Sequence, residues 1–115
     1  MKYPKQKDMG LFIGKKCRFI KSELCRIGLE TTTNSGYETT TIGWKSYDYT
    51  PPKGFTEGWI VGFGFCFDGA INKPMFGAVG GTYFSPKKQI KYVRVRKTPM
   101  GQEIKVLASN IIEVF

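Results

Sequence analysis

The sequence predicts an all-β fold, a small barrel carrying a long polar hairpin, and three stretches carry that expectation. Residues 57–68, E-G-W-I-V-G-F-G-F-C-F-D, form the long apolar run without a charge in its interior, the length and composition of a central strand. The glycines inside it favour a sheet that bends or a neighbouring backbone that comes close, as a small closed barrel requires. Residues 30–41, E-T-T-T-N-S-G-Y-E-T-T-T, read nearly alike on both sides of Asn-Ser-Gly, which is turn chemistry between two threonine-rich strands. Residues 98–102, T-P-M-G-Q, separate two β-rich runs, and no window of useful length has helical periodicity free of Gly, Pro or β-branched interruption.

In chain order, residues 1–9 are polar, carry Lys2, Lys5 and Lys7, and are expected to form a flexible basic arm able to reach a partner. A single barrel domain is expected over residues 10–115, because 115 residues suffice for one core. Residues 11–20 predict the first strand, and residues 24–29 a second strand or its continuation. The threonine hairpin has little to bury and is expected to project. Residues 46–54, with Pro51 and Pro52, read as an extended connector. In the central strand, counting by twos puts Trp59, Val61, Phe63, Phe65 and Phe67 on one face, and these aromatics are assigned to the core. Asp68-Gly69 reads as a turn and residues 70–82, rich in glycine, as an irregular loop. Residues 90–97 and 103–107 then form a hairpin, with Pro99 at the second position of a type I turn and Gly101 as a left-handed bulge residue. Residues 111–115 supply the last strand.

Eighteen Lys and Arg against nine Asp and Glu give a net charge of +9, which favours polyanions or acidic protein surfaces as partners. Residues 87–97 concentrate that charge in Lys87, Lys88, Lys91, Arg94, Arg96 and Lys97 without an acid among them. Alternation places Tyr92, Arg94 and Arg96 on one face and turns Val93 and Val95 to the core. Cations beside an aromatic ring suit phosphate contact and base stacking; the competing role is an edge strand guarded by charge. Lys15, Lys16 and Arg18, with Lys21, extend this patch if the first strand lies beside the hairpin. Trp44, Tyr47 and Tyr49, in or near the proline-bearing connector, are candidates for contact with a protein.

A catalytic site is not expected. The chain has no histidine, its acids are scattered singly, no glycine loop is followed by Lys-Ser or Lys-Thr, and Cys66 lies in an apolar strand. Cys17, Cys25 and Cys66 lack C-x-x-C spacing and read as reduced packing residues, so neither a metal nor a cofactor is expected. No run is long enough to span a bilayer, and a cytoplasmic location follows as the expectation.

The ending L-A-S-N-I-I-E-V-F, residues 107–115, resembles that of an SH3-like barrel, where a short 3₁₀ turn precedes the last strand. E-G-W-I-V-G, residues 57–62, is similar to the acidic-Gly-Trp entry into that family's middle strand. The resemblance implies that the threonine hairpin occupies the long first loop. The threonines replace the acidic cluster that peptide-binding SH3 domains carry there, and the Ala-Leu-Tyr-Asp-Tyr opening is missing, so recognition of proline-rich peptides is not implied. Small SH3-like proteins of this kind resemble those encoded by phages and mobile elements, which would place the chain in a host cytoplasm. G-F-G-F-C-F, residues 62–67, also resembles the stacking motif of the RRM and cold-shock domains, and L-F-I-G-K-K, residues 11–16, echoes the RRM's other strand motif. The RRM requires helices absent from the pattern, which leaves an OB or cold-shock barrel as the alternative fold. The functional expectation is a non-enzymatic protein that binds nucleic acid, or an acidic nucleic-acid-handling site, through its basic hairpin. The alternative is an inhibitor or adaptor docking on a host defence complex through the threonine hairpin and the aromatic connector.

Overall fold

Threonine, β-branched and aromatic residues in alternating runs specify strands, and the computed structural model, which describes residues 1–20, 23–34, 36–46, 54–75 and 80–115, is built of them. Seven strands form one antiparallel sheet: β1 (Lys16–Phe19), β2 (Leu24–Asn34), β3 (Tyr37–Ser46), β4 (Thr56–Pro74), β5 (Tyr83–Arg96), β6 (Glu103–Leu107) and β7 (Ile111–Val114). Two 3₁₀ segments accompany them, Gln6–Leu11 and Ala108–Asn110. The order runs β2-β3-β4-β1-β7, with β5 pairing β4 and β6. The all-β, small barrel-like expectation therefore holds, and the chain divides into two compact units that are described in turn.

The first unit comprises Met1–Leu24, Ser46–Phe65 and Lys91–Phe115. Its strands follow the order β7-β1-β4-β5-β6, and every one contributes to a core of Cys17, Phe19, Ile60, Val93, Val95, Val106, Ala108 and Ile111. Val93 and Val95 face inward as alternation predicts, opposite Val106 and Ile104 of β6. The 98–102 turn closes with the Gly101 N–H donating to the Thr98 carbonyl at 3.0 Å, which leaves Pro99 at the second position. Gly101 does not take positive φ, so the expected left-handed bulge residue is absent there. The 3₁₀ turn before β7 forms as the ending suggested, and its Asn110 is buried, with Nδ2 donating to Ser46 Oγ at 3.4 Å.

The inward face of β4 is the main departure from the sequence reading. Ile60 is fully buried while Trp59 and Phe65 are 37% and 58% exposed, so these two aromatics are not core. A Cβ added to Gly58 would lie 2.6 Å from Val95 Cγ1 and 2.8 Å from the Arg96 carbonyl oxygen, so β5 passes at a distance only glycine permits. At Gly62 and Gly64 an added Cβ would instead meet the side chains of Arg94 and Tyr92, which alternate with the buried valines and face outward. Gly58 thus faces the buried Val95, whereas Gly62 and Gly64 lie under the Arg94 and Tyr92 side chains, and Phe63 packs against the core.

Residues 1–9 are not a loose arm. Met1 and Tyr3 pack against the core, the Met1 ammonium donates to the Ile111 carbonyl at 2.7 Å, and the Tyr3 hydroxyl donates to the Gly64 carbonyl at 3.0 Å. The 3₁₀ segment that follows takes up the beginning of the expected first strand, which shortens to β1.

The second unit comprises Cys25–Lys45 and Cys66–Ile90. The threonine hairpin forms, with Gly36 at φ 82° beside its turn and the Thr31 and Thr40 hydroxyls 3.3 Å apart. It does not project alone, because β3 pairs with β4 from Tyr37↔Pro74 to Ile42↔Gly69. Asp68-Gly69 is accordingly strand and not turn, and β4 runs on through Pro74 into the beginning of the expected loop over residues 70–82. A Cβ on Gly69 would collide with the Ser85 carbonyl oxygen, so that glycine serves close approach. Buried Asn72 accepts from Thr39 Oγ1 at 2.9 Å and donates to Ser85 Oγ at 3.2 Å, which satisfies its amide. The connector's Tyr47, Tyr49, Pro51 and Pro52 lie outside the described residues.

Gly58→Ala is expected to destabilise the fold by about 1–3 kcal/mol through overpacking against Val95 and the Arg96 backbone. Gly10→Ala, where an added Cβ meets nothing within 4 Å, is the matched control and should change urea-unfolding stability little.

Candidate functional site

Thirteen of the eighteen Lys and Arg, and six of the nine acids, belong to the first unit, so most of the net charge sits there. The β5–β6 register organises part of it. Tyr92 stands opposite Leu107, Arg94 opposite Lys105, and Arg96 opposite Glu103, all on the outward face. Arg94 and Lys105 are therefore like charges directly across a strand pair, which concentrates positive charge on this face. Glu103 Oε2 lies 3.6 Å from Arg94 Nε and Glu103 Oε1 lies 3.6 Å from Arg96 Nη2. These contacts are longer than hydrogen bonds, and the Nε groups of both arginines have no acceptor among the described residues. One carboxylate thus lies beside two guanidinium groups without accepting from the Nε of either.

Aromatic rings adjoin this charge. Lys105 Nζ lies 5.3 Å from the Tyr92 ring centroid, and Lys91 Nζ 5.2 Å from that of Tyr3. Tyr3 meets Phe63 edge to face at 5.6 Å, and its phenol is pushed up by burial first and by neighbouring Tyr92 second. Gly62 and Gly64 leave the room in which the Arg94 and Tyr92 side chains lie against β4. Tyr3 and Lys105 thereby join a patch that the sequence reading built on Lys91, Tyr92, Arg94 and Arg96. Neither stood out earlier, since Tyr3 is distant in sequence and Lys105 becomes significant only through the hairpin register.

The other candidates are placed differently. Lys97 is exposed just past β5, while Lys87 and Lys88 belong to the second unit, where the Lys88 N–H donates to Asp68 Oδ1 at 2.6 Å. β1 does not lie beside the hairpin, because β4 separates it from β5, so Lys15, Lys16 and Arg18 do not extend the same strand-to-strand patch. Lys16 Nζ pairs with Glu57 at 2.6 Å, and Lys15 Nζ sits 5.8 Å from the Phe12 ring. Arg18 is held between the Phe55 and Phe115 rings at 4.7 and 4.6 Å and bonds Glu113 at 3.1 Å, a set of contacts that fixes strands together. Lys21 lies outside the described residues. Trp44 is half-buried in β3 with Nε1 donating to the Phe67 carbonyl at 2.9 Å, so it is no open contact in the connector. Phe67 joins it in lining a shallow recess of the second unit with Arg26, Ile42, Ile71 and Phe84.

No disulfide links Cys17, Cys25 or Cys66, and among the described residues no cluster of three or more Cys, Asp or Glu is spaced to hold a metal. Among those residues too, no helix is long and apolar enough to cross a membrane. Burial pushes the Cys17 thiol from 9.0 up to about 11. An unfolded chain releases that proton above pH 9, whereas the folded chain holds it to about pH 11, so the associated stability is complete below pH 9 and declines between 9 and 11. Urea unfolding of wild type and Cys17→Ala across this window should show a larger loss of stability in the wild type than in the variant, which keeps only the contribution of Tyr3.

Comparison with known proteins finds no matching family, no matching curated protein and no matching solved structure.

Proposed function

We propose that the first unit is an SH3-like barrel acting as a non-enzymatic nucleic-acid-binding module, with the outward face of β5 and β6 as its contact surface. The strand order β7-β1-β4-β5-β6 and the 3₁₀ turn before β7 support the SH3-like reading. The observation that carries the function is the placement of Arg94 directly opposite Lys105, with a single carboxylate shared between Arg94 and Arg96. Three cations on one strand-pair face, around a single glutamate, favour an anionic partner. Phosphates spaced along a strand answer several cations at once, and Tyr92 offers an aromatic edge beside them. The inhibitor or adaptor alternative gains nothing comparable, because Trp44 is engaged within its own unit.

Anisotropy titration of labelled DNA and RNA at about 50 and about 200 mM salt tests this reading. Wild type should bind with steep salt dependence, and Arg94→Gln with Arg96→Gln should weaken binding and lower the salt slope by about 2, near 1 for each cation lost. Glu103→Gln should do the reverse, raising affinity by removing the competing carboxylate. Salt-insensitive or negligible binding by wild type would refute the module's assignment to nucleic acid.

A further inference from the structure

The docked N-terminal segment creates a second cationic feature that the sequence, read as a loose arm, gave no reason to expect. Lys2, Tyr3, Pro4, Lys5, Lys7 and Asp8, with Leu11 and Phe12, line an open cleft of about 500 Å³ in the first unit. Its floor is apolar: Phe12 packs edge to face on Phe63 at 6.3 Å, and Leu11 is 68% exposed. Its rim is cationic, with Lys2, Lys5 and Lys7 exposed and none ion-paired to an acid among the described residues. Tyr3 belongs to both features, because it lines this cleft while Lys91 stands over its ring and Tyr92 lies close enough to perturb its phenol.

We infer that this cleft takes a nucleotide of a single-stranded nucleic acid whose neighbouring phosphates run onto the β5–β6 face through Tyr3 and Lys91. The inference rests on the nucleic-acid reading and adds the strand state and the second subsite. A duplex presents phosphates and groove edges but keeps its base faces stacked, so it has nothing to set on the apolar floor. An unpaired nucleotide offers a planar apolar face with an adjacent phosphate, which matches a floor of Leu11 and Phe12 under a rim of lysines. Tyr3 fixes where the two features join, since its hydroxyl is held by the Gly64 carbonyl and its ring by Phe63.

The test compares fluorescein-labelled oligothymidylate with a duplex of equal length, using wild type, Lys2→Ala/Lys5→Ala/Lys7→Ala and Leu11→Ser. The expected result is preferential binding of the single strand. The triple variant should lose at least tenfold in affinity and lower the salt slope by about 2, three contacts at about 0.7 each for a single strand. Leu11→Ser should weaken single-strand binding while leaving the slope unchanged. Circular dichroism and melting midpoints should match wild type, because the three lysines and Leu11 are exposed. Equal affinity for duplex and single strand, or a triple variant with wild-type slope, would overturn the cleft while leaving the β5–β6 reading standing. Displacement of the oligonucleotide by polyglutamate at equal charge concentration would assign the cleft to an acidic polypeptide and overturn the single-strand inference. Failure of wild type to bind any oligonucleotide would remove the underlying reading itself.

Discussion

The close passage of β5 over Gly58 is the constraint on which the first unit depends. With a hydrogen atom in place of a side chain, the Val95 methyl group and the Arg96 carbonyl settle against the backbone of β4. That contact draws Val93 and Val95 into the core beside Ile60 and Val106, and it leaves Arg94 and Arg96 on the other side of the strand. Gly58 and Ile60 serve the interior, whereas Gly62 and Gly64 open a shallow trough outside in which the Arg94 and Tyr92 side chains lie.

The charged face therefore follows from how the core is packed. Inward valines at alternate positions force the intervening residues of β5 outward, and the 98–102 turn then fixes which residues of β6 stand beside them. A shift of one residue would bring Lys105 out of line with Arg94 and Glu103 out of line with Arg96. Among the described residues β6 pairs only with β5, and its exposed Glu103 and half-buried Lys105 also discourage pairing with a further strand. Protection of an edge and recognition of an anion are compatible uses of the same side chains.

Much of this was legible in the chain, and the failures share a cause. The hairpin around Pro99 and the alternation of Val93 and Val95 are local patterns, so turn chemistry and period two sufficed to place them. The threonine hairpin was found for the same reason. Trp59 and Phe65 were assigned to the interior because bulk usually goes there, but the glycine-bearing side of β4 lies against β5 and the large rings are left out. Gly69 reads as a turn residue in the sequence because close approach by Ser85 and reversal of the chain call for the same amino acid. The docking of the N-terminal segment leaves no local signal, because its anchors, the Ile111 and Gly64 carbonyls, lie 110 and 61 residues away. The shared carboxylate of Glu103 was equally invisible, since it depends on cross-strand register.

The distribution of the three thiols has a practical corollary. Cys17 is sealed in the interior of the first unit, while Cys25 and Cys66 are partly exposed and both belong to the second. Maleimide chemistry at neutral pH would thus mark the threonine-bearing half of the molecule and spare the arginine face. The native chain already carries attachment points for a fluorophore or a solid support that would leave Arg94, Arg96 and Lys105 unmodified.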